Sequence, residues 1–178
     1  MRIISGKYKS RRIRVSPALK ARPTTDFAKE GLFDVLNNLL DWEETTALDL
    51  FSGTGSIALE MVSRGCPRVV SVEMSRNYYD FIVKTKKTLG AIELFPICAD
   101  VFKFVASCKE KYDLIFADPP YDLPTVDTIP TLIIENKLLK PHGIFIMEHS
   151  DKHHFSHLPF FKEERKYGRV RFSIFENK

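Results

Sequence analysis

The chain has 178 residues, 44% of them hydrophobic and 28% charged, which suits one domain with a sizeable core. No run approaches the roughly 18 apolar residues of a membrane-crossing helix. The opening Met1-Arg2-Ile3-Ile4-Ser5-Gly6-Lys7 lacks the apolar centre of a signal peptide. Cys66, Cys98 and Cys108 are odd in number and widely spaced, as expected of reduced thiols in a cytoplasmic protein and not of a disulfide frame or zinc site.

The net charge of +4 is unevenly spread. Residues 1–22 hold Arg2, Lys7, Lys9, Arg11, Arg12, Arg14, Lys20 and Arg22 and no acid, so this segment is +8 and the remaining 156 residues sum to −4. A basic arm on a mildly acidic body points to a polyanionic partner.

In chain order, residues 2–4 and 12–15 are short β-prone runs that pair as a hairpin around Ser5-Gly6-Lys7. Arg22-Pro23-Thr24-Thr25-Asp26 is a stop followed by N-cap residues. A helix is predicted over Phe27–Leu40, with Ala28, Leu32, Val35, Leu36, Leu39 and Leu40 as its buried stripe. Gly31 interrupts it at a cost of up to about 1 kcal/mol against Ala. Asp41–Thr45 reads as a polar connector.

Thr46–Phe51 is a strand, Ser52-Gly53-Thr54-Gly55-Ser56 a glycine-rich turn, and a helix runs from Ser56 to Arg64 with Gly65 at its end. Strand, glycine loop and helix make the first half of a nucleotide-binding βαβ unit. The spacing is neither G-x-G-x-x-G nor a P-loop, so triphosphate binding is unsupported. Arg68–Glu73 is a second strand ending in an acid 20 residues after Gly53. At that place a carboxylate takes the ribose hydroxyls of an adenosine-type ligand, although a strand-end Glu can also cap the next helix. That helix covers Ser75–Leu89.

Leu94–Asp100 is a third strand, placed at a sheet edge by Pro96. Asp100 is positioned to accept from an adenine amino group, with Val101 and Phe102 against the ring. A short helix over 101–108 precedes Asp113–Ala117, an apolar run that reads as a fully buried strand.

Asp118-Pro119-Pro120-Tyr121 follows, and the two prolines stop the strand because neither can donate to a ladder. A carboxylate and an aromatic ring thus sit past the end of a central strand, where open α/β sheets bind ligands. The arrangement suits methylation of a planar nitrogen, whose lone pair is delocalised into a π system. Asp118 and the Pro119 carbonyl take both N–H protons, and Tyr121 stacks on the flat substrate. A plain strand-end turn with a capping Asp fits the same residues.

A helix over 131–139, a turn at Lys140-Pro141-His142-Gly143, a strand at Ile144–Glu148 and a hairpin of 159–167 with 169–175 complete the chain. His149, His153 and His157 fall at i, i+4 and i+8, but no acid completes an evident site and no metal is expected.

These motifs together resemble the class I S-adenosylmethionine-dependent methyltransferases. That family implies an α/β fold, Rossmann-like, with a mostly parallel seven-stranded sheet that includes one antiparallel strand. More narrowly, several segments resemble the bacterial RsmD family, which methylates N2 of a guanine in 16S ribosomal RNA. They are Arg2-Ile3-Ile4-Ser5-Gly6, Arg22-Pro23-Thr24-Thr25-Asp26 with Lys29-Glu30 and Leu32-Phe33, Asp49–Gly55, Ser63-Arg64-Gly65, Val72-Glu73 and Asp118–Tyr121. Phe27 stands where that family often has a basic residue.

The resemblance implies that Asp49, Phe51, Gly53, Gly55 and Ser56 shape the pocket for the amino-acid half of S-adenosylmethionine. Glu73 would hold the ribose, Met74 would lie against the adenine, and Asp100 and Val101 would fix it. Asp118, Pro119, Pro120 and Tyr121 would hold the guanine. Arg2, Lys7, Lys9, Arg11, Arg12, Arg22 and Thr24 would contact RNA. On this reading residues 1–22 are an RNA-contacting arm and 23–178 the catalytic core of a monomer that meets the small-subunit rRNA in an assembled or assembling 30S particle. Three alternatives stay open. One is a DNA adenine-N6 or cytosine-N4 methyltransferase, disfavoured because the chain has no room for a target-recognition domain. Another is a different amino-methyltransferase with the same Asp-Pro-Pro-Tyr motif, such as one acting on a glutamine amide of a protein, which the +8 arm fits less well than RNA. The third is a non-catalytic RNA-binding assembly factor.

Overall fold

Short apolar runs alternate with helices along most of this chain, and parallel strands need such crossovers. The computed structural model describes residues 1–19 and 24–178. Its strands are β1 (Thr46–Leu50), β2 (Arg68–Glu73), β3 (Leu94–Cys98), β4 (Tyr112–Ala117), β5 (Leu139–His149), β6 (Phe161–Tyr167) and β7 (Val170–Glu176). Its helices are α1 (Asp26–Asn37), α2 (Ser56–Arg64), α3 (Arg76–Leu89), α4 (Val101–Ser107) and α5 (Ile129–Glu135).

The strands form one sheet in the order β3-β2-β1-β4-β5-β7-β6. β1 to β5 pair in parallel, and β7 runs against both of its neighbours. This is the seven-stranded architecture that the motifs imply. β3, with Pro96, is an edge strand as expected.

Successive strand residues face opposite ways, so each strand feeds two cores. Ala47, Val69, Leu114, Phe116, Ile146 and Phe172 pack with α1, α2 and α3. Leu48, Val70, Ile115, Phe145 and Phe175 pack with α4 and α5. Each fully buried Val, Leu, Ile or Phe among them contributes about 1.5–3 kcal/mol. At the N-terminal edge Asp113 ties three strands together. It accepts from Thr46 N (2.8 Å), Thr46 Oγ1 (2.7 Å) and Lys140 Nζ (2.7 Å).

α1 begins where its cap predicts, with Thr25 Oγ1 accepting from Ala28 N at 3.2 Å. It ends at Asn37, earlier than Leu40. Its last turn tightens, with Asn38 N bonding Val35 O and Leu39 N bonding Leu36 O. The chain then doubles back so that Trp42 packs on Phe33 (5.6 Å between rings) and donates to Asn37 Oδ1 (2.8 Å). Leu39, expected in the buried stripe, is therefore exposed. Lys140–Gly143, expected as a turn, lies inside the irregular first half of β5, where pairing with β4 slips between Tyr112 and Leu114.

The N-terminal arm turns back on itself as an antiparallel pairing reduced to one bridge, Arg2 with Arg12. Ile3 N donates to Arg11 O (3.0 Å) and Ile13 N to Met1 O (2.9 Å). Ladder growth stops there because the turn gives its backbone to α2 instead. Ile4 N and Ser5 N donate to the Glu60 carboxylate (2.9 Å each), and Lys7 N donates to Ser63 O (2.7 Å). Gly6 fits this contact at φ +82°, because a Cβ there would lie 1.7 Å from Ser63 O.

Glu60 has no exposed surface and also meets Lys29 Nζ (3.1 Å) and Arg64 Nε (3.0 Å). Lys29, itself buried, uses its other protons on Arg2 O and Ser56 Oγ (3.0 Å each). Burial pulls the Lys29 ammonium below its ordinary value, and Glu60 opposes that shift. Breaking a buried pair by removing one partner strands the other charge. Glu60→Ala is expected to lower stability by about 3–5 kcal/mol in chemical denaturation, with Lys29→Met milder because the carboxylate keeps three donors.

Gly31 has a packing reason. The Tyr167 ring lies where its Cβ would be, 2.1 Å from Cε1, and Tyr167 Oη donates to Gly31 O at 3.0 Å. Gly31→Ala should therefore destabilise by about 1–3 kcal/mol despite better helix propensity. Thermal melts check this, and adding Tyr167→Ala should make the Gly31→Ala step favourable.

Candidate active site

Three acids converge at the C-terminal edge of the sheet's middle strands. Asp49 lies on β1 opposite Phe116 of β4. Ala117 pairs with Met147, so Asp118 and Glu148 are the next residues of adjacent parallel strands. Asp118 N donates to Leu50 O at 3.3 Å, which holds the start of the Asp-Pro-Pro-Tyr turn against β1. Asp118 opens onto a cleft that is also lined by Thr24, Asp49, Phe51, Gly53 and Ser56.

The glycine loop forms the other wall. Phe51 (φ +58°), Gly53 (+52°) and Gly55 (+75°) all adopt left-handed backbone. For a Phe this is strain, of the kind that persists at sites where surrounding contacts over-determine it. The Phe51 ring packs edge-on against Phe102 at 6.2 Å. Ser52 N donates to Val72 O (3.1 Å) and Gly55 N to Ser52 O (2.7 Å), which closes the loop. A Cβ on Gly55 would reach to 3.0 Å from Ile82.

Glu73 accepts from Gly53 N (2.8 Å) and from Ser75 N (2.7 Å). It therefore joins the loop to the start of α3, which is the helix-start contact left open from the sequence. Asp49 accepts from Ala58 N at 3.2 Å and so touches the first turn of α2. Its neighbour Ser56 accepts from Lys29.

Met74, Asp100 and Val101 lie farther along the same edge, beyond β2 and β3. Met74 is 67% exposed, Val101 is buried, and Asp100 caps α4 by accepting from Lys103 N at 3.0 Å. Tyr121 is 49% exposed and its hydroxyl bonds the Glu148 carboxyl.

Burial pushes the Asp49 carboxyl up to about 7. Asp118 is raised well above its ordinary range by burial, then by Glu148 and then by Asp49. Glu148 is raised as well, chiefly by burial, with bonds from Thr24 and Tyr121 opposing. A cleft floored by such acids suits a ligand that brings positive charge or N–H donors.

Among the expected arm residues, Lys9, Arg11 and Arg12 are exposed. Arg2 is held by Asp26 (3.2 Å) and Glu30 (2.8 Å), and Lys7 pairs with Glu93. Arg22 lies outside the described residues. Thr24 is in the cleft and donates to Glu148 Oε2 at 3.0 Å.

The histidines do not share a helix face, because His149 ends a strand. It is buried, with its ring nitrogens on Ser150 O and Ser173 Oγ (2.8 Å each), while His153 pairs with Asp127 at 2.7 Å. Among the described residues no group of three or more His, Cys, Asp or Glu could hold a metal ion. No described helix is long and apolar enough to cross a membrane.

Reasoning from the sequence passed over Glu148 and Glu60. Glu148 had a signal, an acid closing an apolar strand beside Asp118; Glu60 had none, since an acid in a helix ordinarily faces water.

The model of the Conserved hypothetical protein 95 family matches residues 1–176. A Buchnera aphidicola (subsp. Baizongia pistaciae) protein named Ribosomal RNA small subunit methyltransferase D is 29% identical over 181 residues, covering 99% of this chain and 92% of that protein. The Escherichia coli K12 protein of the same name is 28% identical over 148 residues, 83% of this chain and 74% of that one. Among solved structures, the Escherichia coli protein yhhF has a TM-score of 0.87 at 26% identity and covers 100% of this chain and 98% of its own. An RNA methyltransferase of Salinibacter ruber, in complex with S-adenosyl-L-homocysteine, shares the fold with a TM-score of 0.68 at 15% identity, covering 87% of this chain and 93% of its own. With a family match that runs over nearly its whole length, the chain belongs to the Conserved hypothetical protein 95 family, the RsmD family that its motifs resemble.

Proposed function

We propose that this protein transfers a methyl group from S-adenosylmethionine to the exocyclic N2 of a guanine in small-subunit ribosomal RNA. The observation that carries the reading is the convergence of Asp118, the Tyr121 ring and the glycine loop at one strand edge. Relatives named for rRNA methylation support the substrate class.

The residues fit the cofactor's chemistry. Asp49 is a buried acid whose ionisation a cationic ligand would favour, and Glu73 offers carboxylate oxygens beside backbone that carries no side chain at Gly53. When bound, the sulfonium supplies an already activated methyl group. Asp49, Phe51, Gly53, Gly55 and Ser56 would hold its amino-acid half. Glu73 would hold the ribose, and Met74, Asp100 and Val101 the adenine.

Asp118 and the Pro119 carbonyl take the two N–H protons of the guanine amine. This tilts the nitrogen toward sp3 and aims its lone pair into the cleft. Tyr121, half exposed, stacks on the base, worth roughly 1–3 kcal/mol. Positioning supplies most of the catalysis, and Asp118 accepts the proton that the methylated nitrogen gives up. The guanine enters flipped or unpaired, since a stacked base cannot reach the pocket.

Residues 1–22 serve as the RNA-contacting arm of a catalytic core over 23–178. Phosphate contacts fall on exposed Lys9, Arg11 and Arg12, while Arg2 and Lys7, paired with body acids, hold the arm in place. The partner is small-subunit rRNA in an assembled or assembling 30S particle, met by a cytoplasmic monomer.

The test is methyl transfer from labelled cofactor to 30S subunits lacking the modification, to naked 16S rRNA and to duplex DNA. N2-methylguanosine from the first or second is expected, and label in DNA adenine would overturn the reading. Asp118→Ala should cut turnover by about 10²–10⁴-fold while leaving cofactor affinity within about twofold.

The acids also set a pH dependence. Asp49 titrates at about 7 in the fold against an ordinary 3.8, so folding takes up a proton between these values. Its contribution to stability is present at acid pH and is lost as pH rises through about 7. Asp118 and Glu148, also raised, act in the same direction. Glu93, Glu110, Asp113 and Glu176 are depressed and act oppositely, but only as pH falls toward their low values. Buried His149, lowered from its ordinary 6.5, opposes the acids up to that value, so thermal melts of the ligand-free protein should show Tm falling from pH 6.5 to 8. The increment on adding S-adenosylmethionine should grow over that range, and Asp49→Asn should flatten both trends.

A further inference from the structure

Glu148 has a place in the site that the proposed reaction does not yet use. It is 3% exposed, on the face of β5 that also presents Ile144 and Ile146 to the core under α1. Its strand neighbour toward β4 is the position of Asp118. Its Oε2 accepts from Thr24 Oγ1 at 3.0 Å, two residues before α1 begins. Its carboxyl also takes the Tyr121 hydroxyl. Both donors belong to segments that would meet RNA, one at the root of the basic arm and the other the stacking ring.

We propose that Glu148 is a positioning residue of the methyl-transfer site, which fastens the Tyr121 ring and the root of the N-terminal arm at Thr24 to the strand edge that carries Asp118. The inference rests on the reading of Asp118 and Tyr121 as the amine and base contacts. Docking of RNA on the arm and seating of the base are thereby coupled through one buried carboxyl.

The surroundings agree. Asp118 acts on Glu148 from the strand on one side, and β7 presents Phe172 opposite it on the other. Burial raises both carboxyls, and Glu148 raises Asp118 further. A neutral Glu148 still accepts from both hydroxyls through its carbonyl oxygen. The amide of Glu148→Gln has the same shape and the same acceptor, so a positioning role survives that change and fails with Glu148→Ala.

The experiment compares Glu148→Ala, Glu148→Gln, Thr24→Val and the Glu148→Ala/Thr24→Val double variant. Methyl transfer, cofactor affinity and affinity for the 16S rRNA are measured for each. A base displaced by about 1 Å costs about 10²-fold. Glu148→Ala is therefore expected to lower kcat on that scale with cofactor affinity unchanged, and Glu148→Gln to restore most of the rate. Thr24→Val should weaken RNA binding several-fold with a smaller effect on kcat. The double variant should bind RNA no worse than the weaker single one, since both remove one connection.

The proposal is overturned if Glu148→Gln is as slow as Glu148→Ala, which would assign the effect to charge. It is also overturned if Glu148→Ala turns over at the wild-type rate, or if the two changes add in RNA affinity. Should Glu148→Ala not fold, Tyr121→Phe, which removes one hydroxyl from Glu148, replaces it in the comparison. A wild-type protein that binds RNA and cofactor but leaves guanine unmethylated counts against the substrate reading alone, and the RNA-affinity cycle then decides on Glu148. A wild-type protein that does not bind RNA overturns both.

Discussion

A carboxylate with no exposed surface must find donors or lose its charge, and Glu60 finds four. Two come from the backbone of the arm at Ile4 and Ser5, one from Lys29 of α1 and one from Arg64 a turn along α2. Those partners come from three separate stretches of chain, so the network exists only when arm, α1 and α2 are assembled together. Buried ion pairs add little net stability against an apolar alternative. What this one supplies is geometry: beside the buried Ile3 and the partly buried Met1, Tyr8 and Ile13, it fixes where a stretch with eight cationic side chains lies.

The same assembly reaches the sheet edge. Lys29 bonds Ser56 at the start of α2, next to the glycine loop, and α1 begins two residues after Thr24, which bonds Glu148. α1, whose Lys29 also takes Arg2 O of the arm, thus lies between the arm that would bind RNA and the cleft that would hold the base. Strand-end placement of Asp49, Asp118 and Glu148 concentrates three acids where burial disfavours their charge. A fold keeps such a group where ligand charge or N–H donors repay it, which is why perturbed acids mark functional sites.

Gly31 and Phe51 illustrate how local rules and tertiary structure differ. By helix propensity Gly31 is a weakness, yet the Tyr167 ring occupies the place of its missing side chain. Phe51 takes a backbone conformation suited to glycine while its ring packs on Phe102. Neither could be foreseen, because each depends on a residue at least fifty positions away. The His149–His157 spacing is helical in period, but β7 captures His149 into the sheet.

The sequence by itself determined the alternation of strands and helices, the edge position of β3 through Pro96, the glycine loop, and the acids at the ends of β1, β2 and β4. These features are local, written in hydrophobic period, in proline's missing N–H and in turn chemistry. Only the tertiary structure decided that Glu148 stands beside Asp118, that Glu60 holds the arm, and that Arg2 and Lys7 are committed to body acids while Lys9, Arg11 and Arg12 are exposed. Strand register and helix docking bring together residues that are distant along the chain, and no local pattern encodes which acid will meet which donor.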